Sequence, residues 1–159
     1  MKHIVGVADM KVSSENSDSI ITYSLGSCIG LAIYDPVAGA GGILHYMLPD
    51  SLLDKKKAGA NPYMFADTGI PRLFKAVYKL GGAKNRIKIY VAGGAEILDQ
   101  KGFFNIGKRN YIALKKIFFK NRVLIDRQDI GGNVNRTIRL EIANGDIYVK
   151  TSGSDEKKI

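Results

Sequence analysis

Residues 22–49, TYSLGSCIGLAIYDPVAGAGGILHYMLP, limit what this chain can fold into more than any other stretch. Residues 29–35 are apolar and β-rich, Pro36 and Gly39 open a turn signal that runs through Gly42, and residues 42–48 are apolar again. The pattern predicts two antiparallel strands joined by a loop longer than a tight turn. Folding back around residues 36–39 sets Cys28 or a near neighbour across from His45. The pairing matters chemically, because these are the only cysteine and one of only two histidines in the chain. Ahead of the cysteine, Leu25, Gly26 and Ser27 predict a tight bend in which Gly26 adopts a conformation other residues avoid. Backbone N–H groups at Gly26 and Ser27 would then point into a site and stabilise an oxyanion. Two readings of Cys28 stand side by side at this level. It is a nucleophile beside an imidazole, or a small hydrophobe in a core strand, which free cysteine commonly is.

The remaining segments supply scaffold. Residues 4–13 predict a first strand ending at the polar run 14–18, and residues 19–25 a second, with Thr22 placed to accept a hydrogen bond from the imidazole and fix its tautomer. An ordinary strand threonine is the alternative. Residues 50–60 are polar and lysine-rich without a periodic apolar face, the signature of a mobile loop. Asn61 reads as an N-cap with Pro62 at the first helical position, and the helix runs to Gly81, with Pro71 kinking it or splitting off its first turn. Ile87, Ile89 and Val91 alternate with polar or small residues as a strand that delivers Gly93 and Gly94 to a turn. Residues 106–119 carry a helical apolar stripe, residues 123–126 restart β structure, and residues 137–142 and 146–151 flank the hairpin signal Asn144-Gly145. Phe103 and Phe104 precede the second helix and cannot both face a core. One is expected to be exposed, either stapling the helix entry or anchoring a protein partner. Residues 152–158 read as a frayed tail.

About nine strands, mostly in hairpins, and two main helices predict an α+β fold: a mixed, largely antiparallel β-sandwich with helices packed on the outside. Strand and helix do not alternate regularly, which argues against a doubly wound sheet. At 159 residues, the chain is expected to form one domain over 1–159. With 45% hydrophobic and 25% charged residues it is neither disordered nor membrane-spanning, and no secretion signal is read at its start. A cytoplasmic location follows as the expectation, where a reducing environment keeps Cys28 a thiol. One cysteine and two histidines offer no metal-ligand spacing, so no metal or cofactor is expected. The formal charge of +9 raises nucleic-acid binding. The basic residues are scattered between a loop and a helix surface without a recognised binding motif, so that class is set aside in favour of acidic protein partners.

Six runs occur in one order along the chain: SLGSCIGLAIYD at 24–35, GILHYMLP at 42–49, YMFAD at 63–67, AGGA at 92–95, NIGKRN at 105–110 and DIGG at 129–132. Together they resemble the chemoreceptor glutamine deamidase family (CheD) of bacterial and archaeal chemotaxis, over nearly the whole chain. The resemblance implies a layered α/β/β fold shared with bacterial toxin deamidases, and a catalytic set at Cys28, His45 and Thr22. It further implies thiol-dependent deamidation of glutamine side chains on methyl-accepting chemotaxis receptors, with hydrolysis of receptor methyl esters open to the same chemistry. Finally, it implies binding and stimulation of the CheY-phosphate phosphatase (CheC), for which Phe103 and Phe104 are the candidate contacts. The competing expectation is an interaction module that mainly regulates the phosphatase and retains residual amidase activity. For an enzyme, Cys28 is expected to be a thiolate well below the usual thiol range of about 8.5.

Overall fold

A computed structural model of the chain describes residues 1–96 and 105–159. Its strands are β1 (Lys2–Val5), β2 (Asp9–Ser13), β3 (Ser19–Leu25), β4 (Ile29–Asp35) and β5 (Ala40–Tyr46), followed by α1 (Lys55–Ala60) and α2 (Ala66–Lys79). The second half holds β6 (Lys88–Gly93), α3 (Ile106–Lys120), β7 (Arg127–Ile130), β8 (Arg136–Glu141), β9 (Ile147–Thr151) and β10 (Lys157–Lys158). The strands form two sheets, ordered β1-β3-β8-β9-β10 and β2-β5-β4-β6-β7. Pairing is antiparallel except for β1 with β3 and β6 with β7. One apolar core lies between the sheets, around Ile20, Leu25, Ile43, Ile138 and Val149. A second lies between the β4-containing sheet and α2 and α3, around Leu31, Leu44, Leu73, Val77 and Leu114. This is the α+β sandwich with outer helices that the strand count and hairpin signals predict.

The central hairpin explains its own composition. Every residue of β4 and β5 is buried, because helices cover one face of this pair and the other sheet covers the opposite face. Side chains alternate across it: Ile29, Leu31 and Ile33 join the helix-side core, whereas Ala32 and Tyr34 join the core between sheets. On β5, Leu44 and Tyr46 face the helices and Ile43 faces the other sheet, which puts His45 on the inter-sheet face as well.

Several local expectations are corrected. The strand expected over residues 4–13 is two strands in different sheets, because the chain turns at residues 6–8, with Ala8 at φ 57 and the Gly6 N–H donating to Asp9 Oδ2 at 3.2 Å. Residues 50–60 are not an unstructured loop: the Asp50 carboxylate accepts from Leu52 N and Asp54 from Lys57 N, nucleating a 3-10 turn and then α1. Asn61 caps only the short turn Pro62–Met64, and the long helix begins after extended Phe65, running through Pro71 without a break. Strand structure resumes at β7, not at 123–126. The tail is not frayed, since β10 pairs with β9 and the Ile159 N–H donates to Ile147 O at 2.9 Å. Phe103 and Phe104 lie outside the described residues.

Candidate active site

The β4–β5 register pairs Ile29 with Tyr46, Gly30 with His45 and Asp35 with Ala40. The neighbour directly opposite the imidazole is therefore Gly30, and Cys28 sits diagonally, two residues farther along and on the same face. Diagonal same-face neighbours lie about 7–8 Å apart at the backbone, within reach of longer side chains. Cys28 is half-buried and packs against the inter-sheet core. Gly30 puts no side chain between them, and none would fit, because a Cβ there would press on the methyl groups of Leu25 and Ile138.

Thr22 approaches from the other sheet. It and His45 are fully buried, and Thr22 Oγ1 lies 2.8 Å from His45 Nδ1 and donates its proton to the Val5 carbonyl at 2.8 Å. A hydroxyl has one hydrogen, so with that hydrogen spent on Val5 the oxygen must accept from Nδ1–H. The imidazole proton is thereby held on Nδ1 and the lone pair on Nε2, which has no hydrogen-bond partner among the described residues, the Cys28 thiol included. Burial pushes the His45 pKa down to about 4, against the opposing pull of Asp9, its register partner on β2. The ring is an uncharged base at neutral pH. A bulge in the β3–β8 pairing between Thr22 and Leu25, where Ser24 takes φ 59, lets both Thr22 and Leu25 face inward.

The bend carrying the thiol is gripped by its carbonyls. Gly26 O accepts from Ala95 N at 2.9 Å, Ser27 O from Asn110 Nδ2 at 2.9 Å, and Cys28 O from Gly94 N at 2.9 Å. The left-handed positions in this region are Ser24, Gly93 and Gly94 rather than the expected Gly26. Gly93 combines φ 111 with a backbone approach so close that a Cβ would overlap the Cys28 carbonyl oxygen. Burial pushes the Cys28 thiol up to about 11, countered only by its own backbone N–H. The resting pair is therefore a neutral thiol beside a neutral imidazole, not the standing thiolate expected from a cysteine and histidine placed together.

Three residues near the site escape sequence reasoning. Asn110 is fully buried on α3 and reaches the bend from outside the hairpin. Arg136 is 5% exposed, donates to Gly93 O at 3.3 Å and pairs with Asp129 at 3.2 Å, bracing the glycine that presses on Cys28. Asp9 sits beside His45 across the β2–β5 pair, on a strand that the sequence expectation ran together with β1. The available signal was that Asn110 and Asp129 belong to the runs NIGKRN and DIGG, polar residues in otherwise structural motifs. No group of three His, Cys, Asp or Glu side chains gathers to hold a metal among the described residues. No helix there is long and apolar enough to cross a membrane.

Comparison with known proteins bears on the family of the chain. The family described as CheD chemotactic sensory transduction matches residues 47–151. A protein of Syntrophus aciditrophicus named probable chemoreceptor glutamine deamidase CheD 1 is 54% identical over 98% of both chains. Proteins named probable chemoreceptor glutamine deamidase CheD from Solibacter usitatus and Desulforamulus reducens are 48% and 42% identical over 98% of this chain and 92% and 93% of their own. A solved Neisseria meningitidis protein of the DUF152 family aligns over 82% of this chain and 63% of its own at 10% identity and a TM-score of 0.44, a likeness too low to bear on the site. On its match to the family and to full-length relatives, the chain belongs to the CheD family.

Proposed function

We propose that this protein deamidates glutamine side chains on methyl-accepting chemotaxis receptors, with Cys28 as nucleophile, His45 as base and Thr22 as the residue that orients the base. The observation that carries the reading is the Thr22–His45 pair, which leaves an unpartnered Nε2 lone pair on the face that also bears the only thiol. Cys28 Sγ attacks the carboxamide carbon of the substrate glutamine while its proton passes to Nε2. The tetrahedral oxyanion meets backbone N–H groups of the 26–28 bend, the C–N bond breaks, and ammonia leaves with the proton returned by His45. Water then adds to the thioester carbon with His45 again as base, releasing glutamate and the free thiol. Because the thiol is neutral at rest, the proton moves as the sulfur attacks. A receptor methyl ester reacts by the same steps, with methanol leaving in place of ammonia.

The names of the relatives support the substrate class. The family resemblance supports the phosphatase CheC as a partner, and Phe103 and Phe104 are its candidate contacts because two consecutive aromatics cannot both face a core. The test is mass spectrometry of a purified receptor cytoplasmic domain incubated with the protein. Each deamidated glutamine adds about one dalton, and Cys28→Ala and Cys28→Ser abolish the change. A Cys28→Ala protein that still converts receptor glutamine would remove the thiol from the chemistry.

A further inference from the structure

We infer that Asn110 is a positioning residue that aims the backbone N–H of Cys28 at the reacting carbonyl oxygen. The inference rests on the cysteine-nucleophile reading above and goes beyond it. The β4–β5 ladder ends at the pair Ile29 and Tyr46, and one step farther Cys28 would face Met47. The next rung is missing because Met47 turns away, its N–H donating to Met64 O at 2.9 Å. Asn110 replaces that rung: its Nδ2 donates to Ser27 O at 2.9 Å and to Met47 O at 2.8 Å, spanning the two strands where they part.

A carboxamide supplies the two hydrogens this needs on one nitrogen. Its orientation is not ambiguous, since reversing the amide would set an oxygen against two carbonyl oxygens. Asn110 Oδ1 is buried without a partner among the described residues, so the side chain is kept at the cost of an unsatisfied acceptor there. The residue is itself anchored: Tyr46 Oη donates to its carbonyl at 2.7 Å, and Gly107, one turn earlier on α3, packs directly on the Ala95 carbonyl.

The consequence for chemistry follows from the planarity of the peptide unit. In a trans peptide the carbonyl of Ser27 and the N–H of Cys28 point in opposite directions in one plane. Holding the Ser27 carbonyl therefore fixes the direction of the Cys28 N–H, which lies beside its own sulfur. An oxyanion formed on a carbon bonded to that sulfur emerges next to this donor. Without Asn110, the Ser27–Cys28 peptide loses the bond that sets its plane between the tethered carbonyls of Gly26 and Cys28, and the donor loses its aim although the thiol and imidazole stay in place.

Two reactions of one protein separate this role from general scaffolding. Deamidation of a receptor cytoplasmic domain passes through an oxyanion, whereas alkylation of Cys28 by iodoacetamide is a displacement that forms none. Asn110→Ala and Asn110→Asp are expected to lower kcat for deamidation by roughly 100-fold, the size of a lost oxyanion donor. KM stays within about twofold, the alkylation rate of Cys28 falls far less than kcat because only the weak pull of its own N–H on the thiol is lost, and Asn110→Gln, which keeps the two-hydrogen amide, recovers part of kcat. The inference is overturned if kcat is unchanged in both variants, or if alkylation falls in step with kcat. Should Asn110→Ala fail to fold, Asn110→Asp and Asn110→Gln decide between the same two outcomes. A wild-type protein that deamidates nothing would instead remove the underlying functional reading, a result visible before any variant is made.

Discussion

A buried imidazole held neutral leaves a signature in acid. Burial lowers the His45 pKa from about 6.5 in the unfolded chain to about 4 in the fold, so between those values the unfolded state takes up a proton that the folded state refuses. The stability is fully present above about pH 6.5 and is lost as pH falls through 4, an amount on the order of 3 kcal/mol. Urea denaturation between about pH 7 and pH 4 is expected to show this loss in the wild type and its absence in His45→Gln. Equal slopes for the two proteins would mean that the ring is charged in the fold. The thiol gives the complementary test. With its pKa raised to about 11 by burial, Cys28 should alkylate more slowly in the native protein near neutral pH than in the urea-unfolded chain, and faster as pH rises. A native rate equal to or above the unfolded rate would establish a standing thiolate. Thr22→Val removes the acceptor that holds the proton on Nδ1 and is expected to lower kcat by roughly 100-fold with little change in KM. Thr22→Ser, which keeps the hydroxyl, retains most of the activity.

At the scale of elements, the β4–β5 hairpin carries the site and its neighbours grip it. The turn from β6 into Gly93 and Gly94 contacts Cys28, Gly131 N donates to Gly93 O at 2.9 Å, and Arg136 binds the same carbonyl. Two glycines in this web isolate the steric contribution. Gly131 has φ 88 and open space around it, so Gly131→Ala is expected to cost about 1 kcal/mol for its backbone conformation alone. Gly93 has φ 111 and the Cys28 carbonyl where a Cβ would sit, so Gly93→Ala is expected to cost about 3 kcal/mol or more and to displace the nucleophile. Chemical denaturation compares the two, and equal costs would mean that the bend relaxes freely. Helix α3 belongs to the same assembly, because its inward stripe of Gly107, Asn110, Leu114 and Phe118 begins with the two residues that touch the site and ends in the core.

The molecule as a whole separates the end of the hairpin that reacts from the end that is pinned. Asp35, fully buried at the far end of β4, accepts from Val37 N at 2.8 Å, Ala38 N at 3.1 Å and Ala83 N at 2.8 Å, and pairs with Arg86 at 2.9 Å. Burial acts to raise its pKa, but Arg86 and the three N–H donors prevail and hold it down at about 2. The carboxylate thus joins the β4–β5 loop to the connection between α2 and β6. Asp35→Ala is expected to destabilise the fold by about 3 kcal/mol, because it orphans several donors at once. The alkylation rate of Cys28 in the folded fraction should be unchanged, and a matching loss of thiol reactivity would show that the two ends are coupled.

Residues 22–49 determined the hairpin by themselves, since apolar runs on either side of a Pro and Gly turn admit few other folds, and with it the shared face of Cys28 and His45. The alternation of residues 137–151 around Asn144-Gly145 was equally local. Contacts between distant segments were not legible in this way. The break of residues 4–13 into two strands in separate sheets, the pairing of β10 and the Asn110 link to Ser27 and Met47 each depend on what the folded chain brings alongside. The ionisation of the site belongs to the same class. A cysteine and a histidine placed together predict an ion pair, but burial between two sheets favours the uncharged form of both, and only the tertiary structure decides how deep that burial is.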